Sequence, residues 1–95
     1  MSAYFVVDVE VTDLAGYDEY RGQVAPTIEK YGGKFVVRGG SPVTIEGDWQ
    51  SSRIVIIEFA DADSFHRWYD SEEYTPLKQL RFKASTARAI LVQGA

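Results

Sequence analysis

The 95-residue chain contains no cysteine and only one histidine. Without cysteine, disulfide scaffolds, zinc knuckles and thiol nucleophiles are all excluded. The single histidine, His66, has no second histidine or cysteine with which to complete a metal site. It also offers no well-placed axial ligand for haem. We therefore expect neither a metal nor another cofactor.

Long apolar runs and an excess of positive charge are also missing. No segment reaches the roughly 20 apolar residues that a membrane-spanning helix needs. Met1 is followed by Ser-Ala-Tyr and then a strand pattern, not by a basic segment with an apolar run. These features predict a cytoplasmic protein without a membrane partner. The net charge of −4 argues against nucleic acid as a partner, because phosphates require a positive surface.

Apolar residues, in contrast, are abundant: 45% of the chain is hydrophobic and 14% is aromatic. A chain of this length predicts a single domain, residues 1–95, and so small a domain has a thin core. The apolar content therefore predicts either an unusually rich core or an apolar face that a second copy of the chain covers.

The apolar pattern predicts four strands, at Ala3–Val11, Lys34–Arg38, Ser52–Ala60 and Thr86–Gln93. The first alternates with a period of two, which is typical of a strand with one buried face. The third is apolar almost continuously, which is typical of a central strand buried on both faces. Between the second and third strands, residues 39–50 are expected to form turns and a loop.

Helical periodicity appears after the first strand. Asp13 is a suitable N-cap, and Gly32-Gly33 is a suitable end for the helix. Pro26 predicts a kink or a restart near Ala25, because proline cannot donate its amide. The apolar stripe of this helix consists of Leu14, Tyr17, Tyr20, Val24, Ile28 and Tyr31.

Two shorter helical segments follow the third strand. Asp61 is the expected cap of the first segment. Its apolar face carries Phe65, Trp68 and Tyr69, which are spaced i, i+3 and i+4. The second segment runs from Pro76 to Lys83, with proline at the first helical position.

The order strand, helix, strand, strand, helix, strand is the β-α-β-β-α-β pattern of ferredoxin-like α+β folds. The handedness of the crossovers places the first and third strands in the middle of a four-stranded antiparallel sheet, with the helices on one face. The opposite, open face would carry an apolar patch that is unusual for a monomer. Its members are Tyr4, Val6, Val36, Ile54 and Ile56. We therefore expect a homodimer in which two sheets pack face to face.

Strand alternation also predicts that Asp8, Glu10, Arg38 and Glu58 lie on the open face. Two interpretations remain open. The charged groups line a pocket for a small organic ligand, or Arg38 forms a structural ion pair with Glu58 or Asp8.

Three further residues are candidates for ligand binding. Trp68 and Tyr69 share an apolar helix face, and Arg81 lies on a helical segment near the last strand. An arginine that faces a pocket suits a carboxylate ligand through its fork of donors. The alternative for Arg81 is a surface charge or an ion pair with Glu72 or Glu73.

Glu58 and His66 are the only candidates for a catalytic base. His66 lies beside the apolar face of its helix and not on it, so a surface position is the more frequent role for such a residue. No Gly-x-Ser-x-Gly motif occurs. Gly39-Gly40-Ser41 follows a strand without opening a helix, so it predicts a turn and not a phosphate loop.

An ordered set of short motifs resembles the domain-of-unknown-function family 1330 (DUF1330). These motifs are Arg38-Gly39-Gly40, Glu46-Gly47-Asp48-Trp49, Arg53 before an apolar strand that ends in Glu58-Phe59, the run from Trp68 to Tyr74, and Leu80-Arg81. The resemblance covers nearly the whole chain and implies a dimeric α+β barrel of two ferredoxin-like halves. That superfamily contains cofactor-free monooxygenases, small isomerases, muconolactone-type enzymes and haem-degrading proteins, but the family itself brings no established reaction.

Two functional hypotheses follow. The first is a homodimer that binds a small organic molecule in a cavity between helix face and sheet and transforms it without a cofactor, by proton transfer or oxygen insertion. The second is a non-enzymatic dimeric module for ligand binding or assembly. RNA binding on the open sheet is disfavoured, because such sheets need exposed aromatics and a basic surface.

Overall fold

The sheet has the strand order β2-β3-β1-β4, with every neighbouring pair antiparallel. The computed structural model describes residues 1–95, in the element order β1 (Ala3–Val11), α1 (Leu14–Lys30), β2 (Lys34–Gly39), β3 (Ile54–Phe59), α2 (Ala62–Tyr69), α3 (Thr75–Ala84) and β4 (Ser85–Gln93). The first and third strands are central, as predicted, which confirms the ferredoxin-like α+β fold. None of the helices has the length and hydropathy needed to cross a membrane.

The helix starts follow the predicted caps. The carboxylate of Asp13 accepts a hydrogen bond from the Gly16 amide at 3.2 Å, and that of Asp61 accepts one from the Ser64 amide at 2.7 Å. Both satisfy amides that have no partner within the helix. Of the kink or restart predicted near Ala25, the restart is wrong, because α1 continues through Pro26 to Lys30.

The core lies between the helices and one face of the sheet. Phe59, Trp68 and Tyr74 are fully buried at its centre, and the rings of Trp68 and Tyr74 are 4.0 Å apart. The Trp68 indole donates a hydrogen bond to the Thr27 hydroxyl at 3.0 Å, which ties α2 to α1. Leu14, predicted to belong to the α1 stripe, is instead exposed.

A β-bulge in β2 changes which face its later residues occupy. Phe35 pairs with Ile57, but the next paired residue is Val37, opposite Ile56, so Val36 is the extra residue. Arg38 then pairs with Val55, whose side chain faces the helices. Because directly paired residues share a face, the prediction that Arg38 lies on the open face is wrong.

Candidate functional site

A narrow cavity lies between α1 and the helix-facing side of the sheet. Four of the six arginines of the chain line it, together with two tyrosines and seven apolar side chains. The lining residues are Phe5, Val7, Val9, Tyr17, Tyr20, Arg21, Val24, Phe35, Arg38, Arg53, Val55, Ile57 and Arg81. The cavity is therefore apolar, with a small number of cationic and hydroxyl groups, which is the usual composition of a small-molecule site.

Arg81 is the most deeply buried of these arginines, with only 5% of the residue exposed. It reaches the cavity from α3, and its Nε donates a hydrogen bond to the Tyr74 hydroxyl at 3.2 Å. It forms no ion pair with Glu72 or Glu73. The interpretation of Arg81 as a surface charge or a partner of these acids is therefore wrong, because the side chain points inward.

Arg38 spans the cavity from the strand side to α1. Its guanidinium lies 4.3 Å from the centre of the Phe35 ring and donates a hydrogen bond to the Arg21 backbone oxygen at 3.0 Å. Both Arg38 and Arg21 are exposed on their outer side. Together they cover the cavity opening between β2 and α1.

Arg53 enters the cavity at the start of β3. Its Nε donates a hydrogen bond to the Tyr17 hydroxyl at 3.3 Å, and its guanidinium lies 5.3 Å from the centre of that ring. Gly39 makes this approach feasible, because a Cβ at Gly39 would lie only 2.6 Å from the Arg53 guanidinium. Gly39 also has a φ of +95°, a conformation that favours glycine.

No carboxylate and no histidine lines the cavity. The one acid paired with its arginines is Asp18, which contacts Arg21 at 3.5 Å on the exposed surface of α1. Guanidinium groups stay protonated at all physiological pH values. The cavity is therefore positively charged inside a protein whose net charge is −4.

The other predicted ligand-binding residues do not line this cavity. Trp68 is part of the buried core, where its indole nitrogen, the only polar atom of the side chain, donates to the Thr27 hydroxyl. Tyr69 is half-buried, with the Lys78 ammonium 4.0 Å from the centre of its ring and the Phe65 ring stacked at 5.4 Å. The structure brings together only Arg38 and Arg81 from the predicted set.

Asp8 lies on the open face and is fully bonded there. It accepts hydrogen bonds from the Ser51 hydroxyl at 2.6 Å, the Trp49 indole at 2.9 Å and the Arg88 guanidinium at 3.2 Å. These bonds, that of Ser51 foremost, hold the pKa of Asp8 below its usual value. Asp8 thereby fastens the end of the loop to β1, and the ion pair with Arg38 predicted as one alternative is not formed.

Glu58 is also on the open face, opposite Tyr4 and Lys34 in neighbouring strands. The Tyr4 hydroxyl donates to its carboxylate at 3.1 Å, and the Lys34 ammonium lies 3.5 Å away. Hydrogen bonds from Ser2 and Tyr4, together with the charge of Lys34, lower the pKa of Glu58. A carboxylate with a lowered pKa is a weaker base, and this one has no contact with Arg38.

His66 is exposed on α2, with its ring centre 5.1 Å from that of Phe65. It does not line the arginine cavity. No group of three acidic or histidine side chains is arranged to hold a metal ion.

Sequence reasoning missed Tyr17, Tyr20, Arg21 and Arg53 as cavity residues. The two tyrosines were assigned to the apolar stripe of α1, which is correct for their rings but does not reveal where their hydroxyl groups point. A signal was present in the three arginines that flank apolar residues of β2, β3 and α3. The face occupied by Arg38 follows only from the bulge at Val36, which the sequence does not indicate.

The strand order, helix layer and cavity define a ferredoxin-like α+β protein. Residues 2–95 match the family described as Domain of unknown function (DUF1330), so the chain belongs to that family. No match is found among curated proteins.

Solved structures share the fold at low sequence identity. A protein of unknown function from Rhodopseudomonas palustris is 18% identical with a TM-score of 0.81, over 99% of this chain and 82% of that one. A dimeric ferredoxin-like protein of unknown function from Jannaschia sp. CCS1 is 11% identical with a TM-score of 0.76, over 99% and 100%. SnoaB, a cofactor-independent oxygenase from Streptomyces nogalater, is 15% identical with a TM-score of 0.65, over 99% and 93%.

Proposed function

We propose that this protein binds a small organic acid, as its anion, in the arginine-lined cavity between α1 and the sheet. The observation that carries the proposal is Arg81, which is buried, faces the cavity and has no carboxylate partner. A buried charge without a counter-ion is unfavourable. An anionic ligand supplies the missing counter-ion, and a carboxylate matches the fork of guanidinium donors.

The apolar lining selects the rest of the ligand. Phe5, Val24, Val55 and Ile57 surround the cavity without a polar atom in their side chains. A hydroxylated or highly charged body would lose its hydration there without gaining hydrogen bonds. The preferred ligand is therefore an aromatic or aliphatic acid with its anionic group directed at Arg81.

Entry requires movement of side chains at the opening. The free volume of the cavity is about 20 Å³, which holds about one water molecule. Arg38 covers the opening with a single hydrogen bond to a backbone carbonyl. A carboxylate offers this guanidinium a stronger, charge-assisted bond than the carbonyl does. The anionic group of an entering ligand thus draws Arg38 away from the Arg21 oxygen before it reaches Arg81.

The residues that line the cavity favour one of the two reactions predicted from the sequence. Isomerisation by proton transfer needs a base, and the cavity contains none, since Glu58 and His66 lie elsewhere. Oxygen insertion needs an electron-rich carbon that can reduce dioxygen, with the second oxygen atom leaving as water. An acid that also carries an enolate or phenolate supplies that carbon without a base from the protein. Of the two, cofactor-free oxygenation is therefore the better supported, and the fold shared with the oxygenase SnoaB is compatible with it. Binding without a reaction remains the alternative.

We further propose that the protein acts as a homodimer joined through the open face of its sheet. Val36, Ile90 and Val92 are exposed there, at 51%, 61% and 41%. Contiguous apolar surface of this kind is rarely left in water by a monomer. A second sheet packed face to face covers it, and the Jannaschia relative is itself described as dimeric.

Thermal unfolding in the presence of small carboxylates, lactones and aromatic metabolites tests the binding proposal. Carboxylates should raise the unfolding temperature, because a ligand that binds only the folded state stabilises it by RT ln(1 + [L]/Kd). The Arg81→Met variant should weaken the binding of any hit by roughly ten- to a hundredfold, since a hydrogen bond to a charged group contributes about 1.5–3 kcal/mol. The control is Arg67→Met, which removes an exposed arginine outside the cavity.

Stability without ligand separates a binding residue from a structural one. Replacing a buried charge with an apolar side chain of similar size is often neutral or stabilising. Arg81→Met should therefore unfold at the same or a higher temperature than the wild type in the absence of ligand. The proposal fails if no carboxylate shifts the wild-type transition, or if Arg81→Met binds every hit as tightly as the wild type does.

A further inference from the structure

The hydroxyl of Tyr20 is a second polar group at the deep end of the cavity. Tyr20 is buried on α1 and lines the cavity beside Arg81. Its hydroxyl lies 2.9 Å from that of Tyr74, which is fully buried behind it and does not line the cavity. Arg81, Tyr74 and Tyr20 therefore form a continuous chain of hydrogen bonds that begins and ends at the cavity wall.

The direction of this chain follows from its donors. The Nε of Arg81 can only donate, so the Tyr74 oxygen accepts its bond. The proton of Tyr74 then needs an acceptor of its own, and Tyr20 is the one within reach. A buried hydroxyl that lacked this bond would be unfavourable. Tyr74 therefore donates to Tyr20, which leaves the proton of Tyr20 free to point into the cavity.

Both hydroxyl groups keep their protons over the physiological range. Burial, together with the neighbouring Tyr74, raises the pKa of Tyr20 well above its usual value. Burial also raises the pKa of Tyr74. Each accepted bond in the chain polarises the next donor. The positive charge of Arg81 therefore makes the Tyr20 hydroxyl a stronger hydrogen-bond donor.

The two ends of the chain are close enough to share one acceptor atom. Tyr20 Oη and Arg81 Nε are bonded to the same Tyr74 oxygen, so they lie no more than about 6 Å apart. An atom that accepts from both needs to lie about 3 Å from each donor group. The terminal nitrogens of Arg81, which the bond to Tyr74 leaves free, are the donors that a single anionic oxygen would share with Tyr20.

We propose that Tyr20 donates a hydrogen bond to the anionic oxygen of the ligand, and that the ligand class extends to acidic phenols and enols bound as phenolates or enolates. This inference rests on the proposed function. A phenolate has one oxygen, which takes bonds from both Tyr20 and the terminal nitrogens of Arg81, while its ring lies against the apolar lining in the space that opens when Arg38 moves. A hydrogen bond to the charged form and a nearby positive charge both lower the pKa of the ligand, so an acidic phenol binds as its phenolate and its proton is released to water.

The test uses 4-nitrophenol, whose phenolate absorbs visible light. Its absorbance is titrated against pH with the wild type, with Tyr20→Phe and with Tyr31→Phe, and the affinity for benzoate is measured beside it by calorimetry. Tyr31 is the matched control, because its hydroxyl bonds Glu73 away from the cavity. The pKa of bound 4-nitrophenol should lie below that of the free compound for the wild type and for Tyr31→Phe.

Tyr20→Phe should weaken binding of the phenolate by roughly ten- to a hundredfold, as expected for a lost bond to a charged group. The pKa of the bound phenol should rise by roughly one unit or more, because the substitution weakens binding of the neutral phenol less than binding of the phenolate. A merely structural effect of Tyr20 would weaken both forms equally and leave that pKa in place.

The outcomes separate the two proposals. Binding of neither benzoate nor 4-nitrophenol by the wild type overturns the proposed function. Binding of both, with an unchanged pKa of the bound phenol in Tyr20→Phe, overturns the role of Tyr20 alone. If Tyr20→Phe does not fold, Tyr74→Phe is measured instead. It removes the proton that Tyr20 accepts, so the bound phenol should again titrate at higher pH, and an unchanged value contradicts the inference.

Discussion

Arg81 shows how burial changes the meaning of a single residue. In the sequence it follows Leu80 near two glutamates, so an ion pair on the surface is the more frequent outcome. In the fold it is 5% exposed, is bonded to Tyr74 and faces a cavity that contains no acid. The same side chain thereby changes from an expected surface charge into the buried cationic group on which the proposed anion binding rests.

Asp8 changes in the opposite direction, from a candidate ligand-binding residue to a structural one. Asp8→Ala should free the Trp49 indole and shift the tryptophan emission to longer wavelength, because Trp49 is half exposed while Trp68 stays buried. Affinity for benzoate should change by less than about twofold, since sites that share no partners act independently.

Asp8→Asn is the matched variant for this prediction. Its amide oxygen can still accept from Trp49, so the emission should stay close to that of the wild type. Loss of benzoate binding in Asp8→Asn would contradict the assignment and would place the ligand on the open face.

At the scale of elements, the bulge in β2 decides which residues meet. Strict alternation from Phe35 assigns Arg38 to the face of Glu58, and nothing in a run of three apolar residues signals an extra one. The bulge at Val36 moves Arg38 to the side of α1. This one-residue shift separates the predicted cluster of charges into two faces, which is why the candidate site could be predicted only in part.

The caps and buried residues of helix α1 were predicted well, but the contacts of its tyrosine hydroxyl groups were not. Its cap at Asp13, its left-handed Gly32 and its buried residues Tyr17, Tyr20, Val24 and Ile28 all follow from local rules. The direction of the two hydroxyl groups does not, because it depends on Arg53 and Tyr74, which are distant in the sequence. Local patterns specify which face is buried, and tertiary contacts specify what that face binds.

At the scale of the molecule, the architecture was predictable because strand order and crossover handedness leave few alternatives. The central positions of β1 and β3 and the single helix layer are confirmed. The cavity was predicted between helix and sheet, but its charge was not. The positive lining depends on four arginines, from α1, β2, the residue before β3 and α3, that only the folded chain brings together.

The open face supports a prediction about assembly. Ile56 pairs with Val6 and Val37 on this face. If two sheets pack here, Ile56→Lys should weaken association at least about 30-fold, because an unpaired charge within an interface costs roughly 2–5 kcal/mol. Light scattering at micromolar concentration should show a dimer for the wild type and a monomer for the variant.

Gln79→Lys, which adds the same charge on the exposed surface of α3, is the control for this prediction and should remain dimeric. A stable wild-type monomer at micromolar concentration would refute the dimer, whatever the behaviour of the variants.

The central claim is that the arginine-lined cavity binds organic anions. The most direct measurement is a crystal structure of the protein with the tightest carboxylate from the thermal screen. The carboxylate should lie within hydrogen-bond distance of the Arg81 guanidinium, and Arg38 should have left the Arg21 carbonyl. A ligand bound on the open face near Asp8 or Glu58, with Arg38 still on that carbonyl and the cavity closed, would contradict it.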